Sequence, residues 1–444
     1  MALPSNLSLL LLILFSFHSQ LLQVHAFTTR SDQDFSFMKS VRNAIDMASE
    51  EKYDYIVIGG GTAGCPLAAT LSEKHSVLVL ERGGTPGTYP NVLNVAGFFA
   101  NLMQSVVFRP NLAVWQSVVK EALLEAGVGP DNGLSVILNT DIFFEMTEPS
   151  AVGVIYTDSN GKSHKALIRK RGEIILSAGA IGSPQLLLLS GVGSDTYLSS
   201  QNISVIHSQP NVGKFMADNP RNNINLVIPF PFEASSAQVV GITSDYYIEA
   251  FSLSLSFFPI PLPFSLYPSS VSTELSLASI VEKIAGPLSH GSLQLASPND
   301  VKVAPHVGFN YFADPVDLSR CVSGVRKIGD LLNTNSMDPF KYKAFNGERG
   351  FMFLGPALPS NNSDDSAMED YCRSTVTTFW HYHGGCLVGK VVDGDFRVMG
   401  VNSLRVVDGS TFILSPGTNP QATLMMLGRY MGLKMLRERR QPIS

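Results

Sequence analysis

Tyr53-Asp54-Tyr55-Ile56-Val57-Ile58-Gly59-Gly60-Gly61-Thr62-Ala63-Gly64-Cys65 is the stretch on which the fold turns. Tyr53–Ile58 is a short β-branched and aromatic run, the signature of a buried strand. Gly59–Gly64 fits G-x-G-x-x-G, and Cys65–Ser72 reads as a helix. The first glycine permits a tight strand-to-helix turn, the second lets backbone approach a pyrophosphate, and the third lets helix pack on strand. Gly59, Gly61, Thr62, Ala63 and Gly64 would thus set phosphates at a helix N-terminus, where free N–H groups and the dipole favour negative charge. Val77–Leu80 is a second strand, and Glu81 ends it seventeen residues after Gly64. That acid is placed to accept from ribose hydroxyls. The competing reading is a glycine-rich turn that holds no nucleotide. The motif alone does not separate FAD from NAD.

Outward from this β-α-β unit, Asn111–Ala126 reads as an amphipathic helix. Leu112, Trp115, Val119, Ala122 and Leu123 fall at helical spacing, with Gly127 as a stop. Ser135–Phe144, Ala151–Tyr156, Lys165–Arg169 and Glu173–Leu176 read as strands, and Ser159-Asn160-Gly161-Lys162 as a hairpin turn. From about residue 225 the segments become short, alternating and rich in Pro and Ser, which predicts a mainly antiparallel sheet. Leu318–Asn333 looks helical. Leu404–Val407, Asp408-Gly409 and Leu424–Arg437 return to strand, turn and helix. The expected class is α/β, with a Rossmann-type domain over 50–225 completed by 376–444, and a substrate domain over 226–375.

A chain of 444 residues with a net charge of −5 and no long basic run is a poor partner for nucleic acid. The apolar run Leu7–Phe15, followed by Val24-His25-Ala26, reads as a secretory signal peptide over residues 1–26; an uncleaved anchor or a disordered arm is the alternative. No later segment reads as membrane-spanning, since Phe251–Tyr267 is broken by Pro259, Pro261 and Pro263. Secretion would expose Cys65, Cys321, Cys372 and Cys386 to oxidising conditions, and spacing alone leaves three full pairings open. Asn202-Ile203-Ser204 and Asn361-Asn362-Ser363 are glycosylation sequons.

Two further blocks carry chemistry. Gly179-Ala180-Ile181-Gly182-Ser183-Pro184-Gln185-Leu186-Leu187 runs on to Ser190-Gly191-Val192-Gly193. A strand delivers Ser177-Ala178-Gly179 there, and a helix starting near Ser183-Pro184 leaves. Trp380-His381-Tyr382-His383-Gly384-Gly385-Cys386 is followed by Leu404–Ser410 and Asn419-Pro420-Gln421-Ala422-Thr423. An H-x-H pair could suggest a metal, but no third ligand at suitable spacing accompanies it.

These blocks resemble the signatures of the glucose–methanol–choline oxidoreductases, and of their plant branch of HOTHEAD-like proteins and (R)-mandelonitrile lyases. The resemblance runs from about Tyr53 to the C-terminus. It implies FAD as cofactor, bound by Gly59–Gly64, Glu81, Ala178 and Gly179. It makes His381 the catalytic base, with Asn419 at the partner position and His383 as a competitor for the base. It puts Asp408 and Gly409 in contact with FAD and Gln421 and Ala422 near the flavin ring. The family disulfide carries over to Cys321 and Cys372, leaving Cys65 and Cys386 free. The lyases have a second histidine where this chain has Asn419; the His/Asn pairing is that of many alcohol oxidases and dehydrogenases. The implied reaction is proton transfer from an alcohol to His381 and hydride transfer to flavin N5, with Asn419 holding the oxyanion. The Phe/Pro/Ser-rich stretch Phe251–Pro268 reads either as ordinary core and loop or as an apolar entrance for a lipid-like or aromatic alcohol.

One departure stands out. Family members carry a second glycine-rich block, G-G-S-S with an Asn soon after, before the helix at Asn111. Here Phe98-Phe99-Ala100-Asn101-Leu102-Met103-Gln104 leads almost directly to Val107-Phe108-Arg109-Pro110, and Gly133–Leu138 is also shortened. Three readings follow: an alcohol oxidoreductase, a hydroxynitrile lyase, and a family member with internal deletions and an incomplete cofactor site. Neither the alcohol nor the oligomeric state is written in these motifs.

Overall fold

The computed structural model describes residues 41–83, 140–145, 149–230, 240–257, 273–343, 347–417 and 419–440. The leader, the helix expected at Asn111–Ala126, the shortened joins and most of the Pro-rich part of Phe251–Pro268 lie outside these residues.

The first sheet contains β1 (Glu50–Ile58), β2 (Val77–Leu80), β3 (Thr140–Glu145), β4 (Ser150–Thr157) and β5 (Ser163–Leu176), in the order β2-β1-β5-β4-β3. β1 pairs in parallel with β2 and β5. Its apolar run is continuous because both faces are covered: Ile56 and Ile58 face one core, and Tyr55 and Val57 the other. Helix α1 (Gly64–Ser72) follows the glycine turn and covers the second face through Leu67 and Leu71. Helix α2 (Gly179–Leu189) covers the first through Leu186, Leu187 and Leu188.

Two sequence readings need correction. Lys165–Arg169 and Glu173–Leu176 are one strand, β5, not two. The polar interruption is a local irregularity: Arg171 has φ 64°, and the register on β1 shifts between Tyr53 and Tyr55. Helix α2 begins at Gly179 instead of near Ser183-Pro184, because the carboxylate of Asp408 accepts the Gly179 N–H at 2.9 Å. A cap supplied from 229 residues away is invisible to local sequence.

The second sheet is mainly antiparallel. Its strands are β6 (Pro220–Ile228), β7 (Val240–Ile242), β8 (Tyr246–Phe257), β9 (Thr273–Ile284), β10 (Met352–Phe353) and β11 (Val376–Thr378), in the order β7-β8-β9-β6-β10 with β11 also on β6. β6 alternates as a one-sided strand should. Asn222, Ile224 and Leu226 are buried, whereas Arg221, Asn223 and Asn225 are half-buried on the other face. The buried side packs on α3 (Pro315–Leu332), capped by the Asp314 carboxylate, and on α4 (Asp365–Thr375). The Cys321–Cys372 disulfide staples these two helices, while Cys65 and Cys386 are free.

The chain then returns to the first sheet. Strand β12 (Leu404–Val406) pairs in parallel with β5. Helix α5 (Gln421–Arg440) lies on α1, where Gly428 faces the Ala63 carbonyl and Gly432 faces Thr70 closely enough that a Cβ would collide. Arg405 is buried at 2 % exposure, with its Nε and Nη2 donating to Glu173 and Nη2 also to Glu438. It ties β12, β5 and α5 into one body.

Candidate active site

The glycine turn is shaped by contacts within the chain. Gly59 has φ 107°, and a Cβ there would lie 2.3 Å from the Ser177 carbonyl. A Cβ on Gly64 would lie 2.0 Å from the Gly59 carbonyl, so strand and helix are in backbone contact. Gly61 differs: nothing lies within 4 Å of its Cβ position. Helix α1 begins at this opening with no side-chain cap. The Glu81 carboxylate accepts the Gly60 N–H at 2.7 Å, which holds it beside the turn.

β5 ends against β1, with the Ser177 N–H donating to the Ile58 carbonyl at 2.7 Å. The Ser177 hydroxyl donates to the Val407 carbonyl, which joins β5 to the turn after β12. In that turn the Asp408 carboxylate is spent on the chain itself. Gly179 N–H, Ser183 hydroxyl, Ser410 N–H and Ser410 hydroxyl all donate to it. Any contact of Asp408 with a cofactor therefore runs through its backbone. Gly409 stands against the Tyr382 carbonyl, and Gly384 N–H donates to the Gly409 carbonyl at 3.3 Å. Gly179, with φ 83° and open space around its Cβ position, faces outward at this junction. A chain of contacts thus runs from the glycine turn through Ser177 and Val407 to the 380–386 segment, at the carboxyl ends of the parallel strands.

The 380–386 segment is also fixed by the residues that lead into β6. Ala217 and His383 exchange both backbone hydrogen bonds at 2.8 Å. Asp218 accepts the His381 N–H at 2.8 Å and the hydroxyls of Tyr311 and Thr378, each at 2.6 Å. Burial raises the Asp218 carboxyl above its usual range. Trp380 sits at φ 60°, a conformation this clamp holds in place.

The His381 ring has a buried Nδ1 without a hydrogen-bond partner. Burial, with the positive charges of Lys283 and Arg221 and the His383 ring nearby, pulls its pKa down to about 3. The imidazole is neutral at physiological pH. His383 is more enclosed: its Nδ1 lies 3.0 Å from the His381 carbonyl, and its Nε2 is buried without a partner. The Phe379 ring packs beside that of His381, with centroids 4.6 Å apart and the planes tilted by 50°. Lys283 Nζ stands over Phe379 at 4.7 Å and donates to Asn419 Oδ1 at 3.1 Å. Lys283 thus binds Asn419 directly and acts on the His381 ring through its charge. Arg221 lies over Trp380 at 4.3 Å, and burial lowers its pKa to about 10. Gln421 and Ala422 are exposed at the start of α5, beside Met425 and Met426 at 50 % and 60 % exposure. Among the described residues no group of three His, Cys, Asp or Glu is placed to hold a metal, and no helix is long and apolar enough to cross a membrane.

Family models described as GMC oxidoreductase match residues 116–221 and 287–428. (R)-mandelonitrile lyase 2 of Prunus dulcis is 43 % identical, over 98 % of this chain and 96 % of its own length. The chain is a GMC oxidoreductase.

Other relatives spread across the plant branch. Sinalpyl alcohol oxidase Nec3 of Nesocodon mauritianus is 40 % identical over 96 % of each chain, and Protein HOTHEAD of Arabidopsis thaliana 36 % over 88 % of this chain and 89 % of its own. The fold matches an Aspergillus oryzae formate oxidase with a TM-score of 0.65 at 15 % identity, covering 89 % of this chain and 99 % of that one. The alignment with the Prunus dulcis lyase runs over 545 positions, whereas this chain has 444 residues. At least 101 of those positions, the difference of the two, therefore face no residue here. Because 96 % of the relative is spanned, the missing stretches are largely internal.

GMC oxidoreductases bind FAD, and the described residues fit its phosphate half. An uncapped helix start and the open space at Gly61 and Gly179 form a cradle that a Cβ at either glycine would begin to fill, and the Glu81 carboxylate, held beside the turn, suits the neighbouring ribose. Asp218, Arg221, Lys283 and Glu249 were not found from sequence. The signal was present in the alternation of Pro220-Arg221-Asn222-Asn223-Ile224-Asn225, but a polar face of a strand ordinarily faces solvent.

Proposed function

We propose that this GMC oxidoreductase oxidises the CH–OH group of an alcohol, with His381 as base and Asn419 as its partner. The observation that carries this reading is His381 itself: a buried, neutral imidazole with an unpartnered ring nitrogen, sharing Lys283 with Asn419. A neutral imidazole can accept the hydroxyl proton. The Asn419 amide, its oxygen held by Lys283, has its N–H₂ left to donate to the substrate oxygen. Arg221 and Lys283 set a positive field over the same place, which stabilises negative charge developing on that oxygen. FAD, held at Gly59–Gly64, Glu81, Ala178, Gly179 and the backbone of Asp408-Gly409, supplies the hydride acceptor when bound. Gln421 and Ala422 would meet the ring end of the cofactor.

A second reading, hydroxynitrile lysis, is favoured by the 43 % identity to (R)-mandelonitrile lyases. There the same base deprotonates a cyanohydrin and the positive field accepts the leaving cyanide. Against it stands Asn419 in place of a second histidine. A third, a chain without activity, is favoured by the missing interior positions. For localisation we read residues 1–26 as a signal peptide, supported by the Cys321–Cys372 disulfide.

The test is an absorbance spectrum of the purified chain, before and after incubation with FAD. Flavin bands near equimolar occupancy that bleach anaerobically with an alcohol are the expected result. Cyanide release from mandelonitrile without bleaching would move the assignment to the lyase. Protein that stays colourless in excess FAD would sink both.

A further inference from the structure

His381 sits where the pairing of two segments slips. β11 lies antiparallel to β6, with Val376 opposite Asn222, Thr377 opposite Arg221 and Thr378 opposite Pro220. Pairing resumes with His383 opposite Ala217. Between those points four residues, 379–382, face two, Asp218 and Asn219. His381 therefore rides on a bulge of two extra residues. Bulges re-aim side chains beside a site. Pro220 helps to start this one, since proline has no N–H with which to extend the ladder.

A bulge leaves main-chain donors without ladder partners, and here one buried carboxylate gathers them. Asp218 is 1 % exposed. Its Oδ1 accepts the His381 N–H at 2.8 Å. Its Oδ2 accepts the hydroxyls of Thr378 and Tyr311. The Thr378 oxygen in turn accepts the Trp380 N–H at 2.8 Å, so that donor reaches Asp218 at one remove. The Phe379 N–H goes to the carbonyl of Asn219 at 3.3 Å. The His381 carbonyl is held as well. It lies 3.0 Å from His383 Nδ1, and a carbonyl only accepts, so that nitrogen carries the proton. His383 is thereby tied through Nδ1 to the main chain of its neighbour.

The His381 ring makes no comparable bond. Its Nδ1 is buried without a partner, and the Phe379 ring only packs beside it. In a Ser-His-Asp triad a carboxylate on the far ring nitrogen orients the histidine. Here the carboxylate grips the main chain instead. We infer that Asp218 is the positioning residue for His381, setting where the ring stands by closing the bulge through the His381 N–H. This deepens the proposed function and rests on it only for what the ring does once placed.

Three variants of the full chain separate positioning from stability. Asp218→Asn keeps an oxygen for the His381 N–H. Asp218→Ser is too short to reach it. Tyr311→Phe removes a donor from Oδ2 and leaves the His381 contact in place. The readout is NMR of protein carrying 13C-labelled histidine, without FAD, with the His381 signal assigned through His381→Asn and followed against pH. In wild type, Asp218→Asn and Tyr311→Phe the ring is expected to stay unprotonated at pH 5, given its pKa of about 3. In Asp218→Ser it should titrate near the reference value of about 6.5. The direction is diagnostic, because losing a negative charge would by itself lower the pKa, so a rise reports a ring released into solvent. With FAD loaded, kcat of the serine variant should fall about 10²-fold while KM changes little. An unchanged His381 titration in folded Asp218→Ser overturns the inference, and so does a shift in Tyr311→Phe as large as in the serine variant. Wild type gives a second reading that does not depend on any variant folding. Its His381 N–H should exchange with deuterium at least about 10³-fold more slowly than an open amide, and rapid exchange overturns the inference. The expected titrations without any turnover would defeat the assigned reaction alone, because they are read without FAD.

Discussion

Lys283 Nζ donates to the amide oxygen of Asn419 at 3.1 Å while lying 3.7 Å from Glu249 Oε1. One buried ammonium thus serves two tasks, orienting Asn419 and neutralising Glu249, and they are separable. Lys283→Met leaves Glu249 unpaired at 2 % side-chain exposure, and loss of about 3–5 kcal/mol is expected from urea unfolding. The double variant Lys283→Met/Glu249→Gln should regain most of that stability. It should not regain turnover, because the Asn419 amide is then free to rotate. Its kcat is expected to remain about 10²-fold low, comparable with loss of one oxyanion donor. Recovery of stability and kcat together would show that Lys283 acts on the fold alone.

His381 makes a prediction about pH. Its pKa is pulled down from 6.5 to about 3, first by burial and then by Lys283, His383 and Arg221. The base therefore stays unprotonated as pH falls through 6.5, and the acid limb of kcat/KM from this group should lie below pH 5. The folded state binds fewer protons than the unfolded chain between pH 3 and 6.5. Stability linked to His381 is thus present above pH 6.5 and lost as pH falls toward 3. His381→Asn should flatten that part of the stability profile and lower kcat by about 10²–10⁴. An acid limb near pH 6.5 that His381→Asn removes would mean that the ring is solvated in the working enzyme.

The β-α-β unit was legible because its evidence is local: an apolar run buried on both faces, three glycines in one turn and an acid at the next strand end. The roles proposed for His381 and Asn419 rest on resemblance, since nothing in an isolated Trp-His-Tyr-His announces a buried ring. Lys283 and Arg221 were not legible. A lysine in an alternating strand ordinarily points to water; this one is covered by Tyr247 and Phe379 and paired with Glu249 from a neighbouring strand. The inward turn of the Asp408 carboxylate was missed for the same reason, because its partners Gly179 and Ser183 lie more than two hundred residues away.

Glu282, the neighbour of Lys283 on β9, points the other way, into the packing against α3, where its Cγ lies 2.4 Å from where a Gly324 Cβ would be. Both carboxyl oxygens are buried without a partner, and burial raises its pKa well above 4.5. The folded state holds this proton where the unfolded chain releases it. Stability should therefore fall by up to about 1.4 kcal/mol per pH unit above 4.5, until the buried acid itself ionises. Glu282→Gln keeps the shape and removes the proton, so its unfolding free energy should exceed wild type at pH 8 and match it near pH 4.5. Parallel curves for the two proteins would mean that Glu282 is ionised and solvated in the fold.

The glycine turn separates holding the fold from holding the cofactor. A Cβ on Gly64 would strike the Gly59 carbonyl at 2.0 Å, so Gly64→Ala must push α1 off β1. It should lower Tm by several degrees, about 2–4 °C for each kcal/mol lost. A Cβ on Gly61 meets nothing in the protein within 4 Å, so Gly61→Ala should leave the Tm of FAD-free protein unchanged. In the path of a pyrophosphate, however, that methyl removes the close backbone approach the turn provides. FAD affinity is expected to fall roughly tenfold or more, about 1.4 kcal/mol. Equal FAD affinity of Gly61→Ala and wild type, measured by flavin fluorescence, would show that the diphosphate is not bound at this opening.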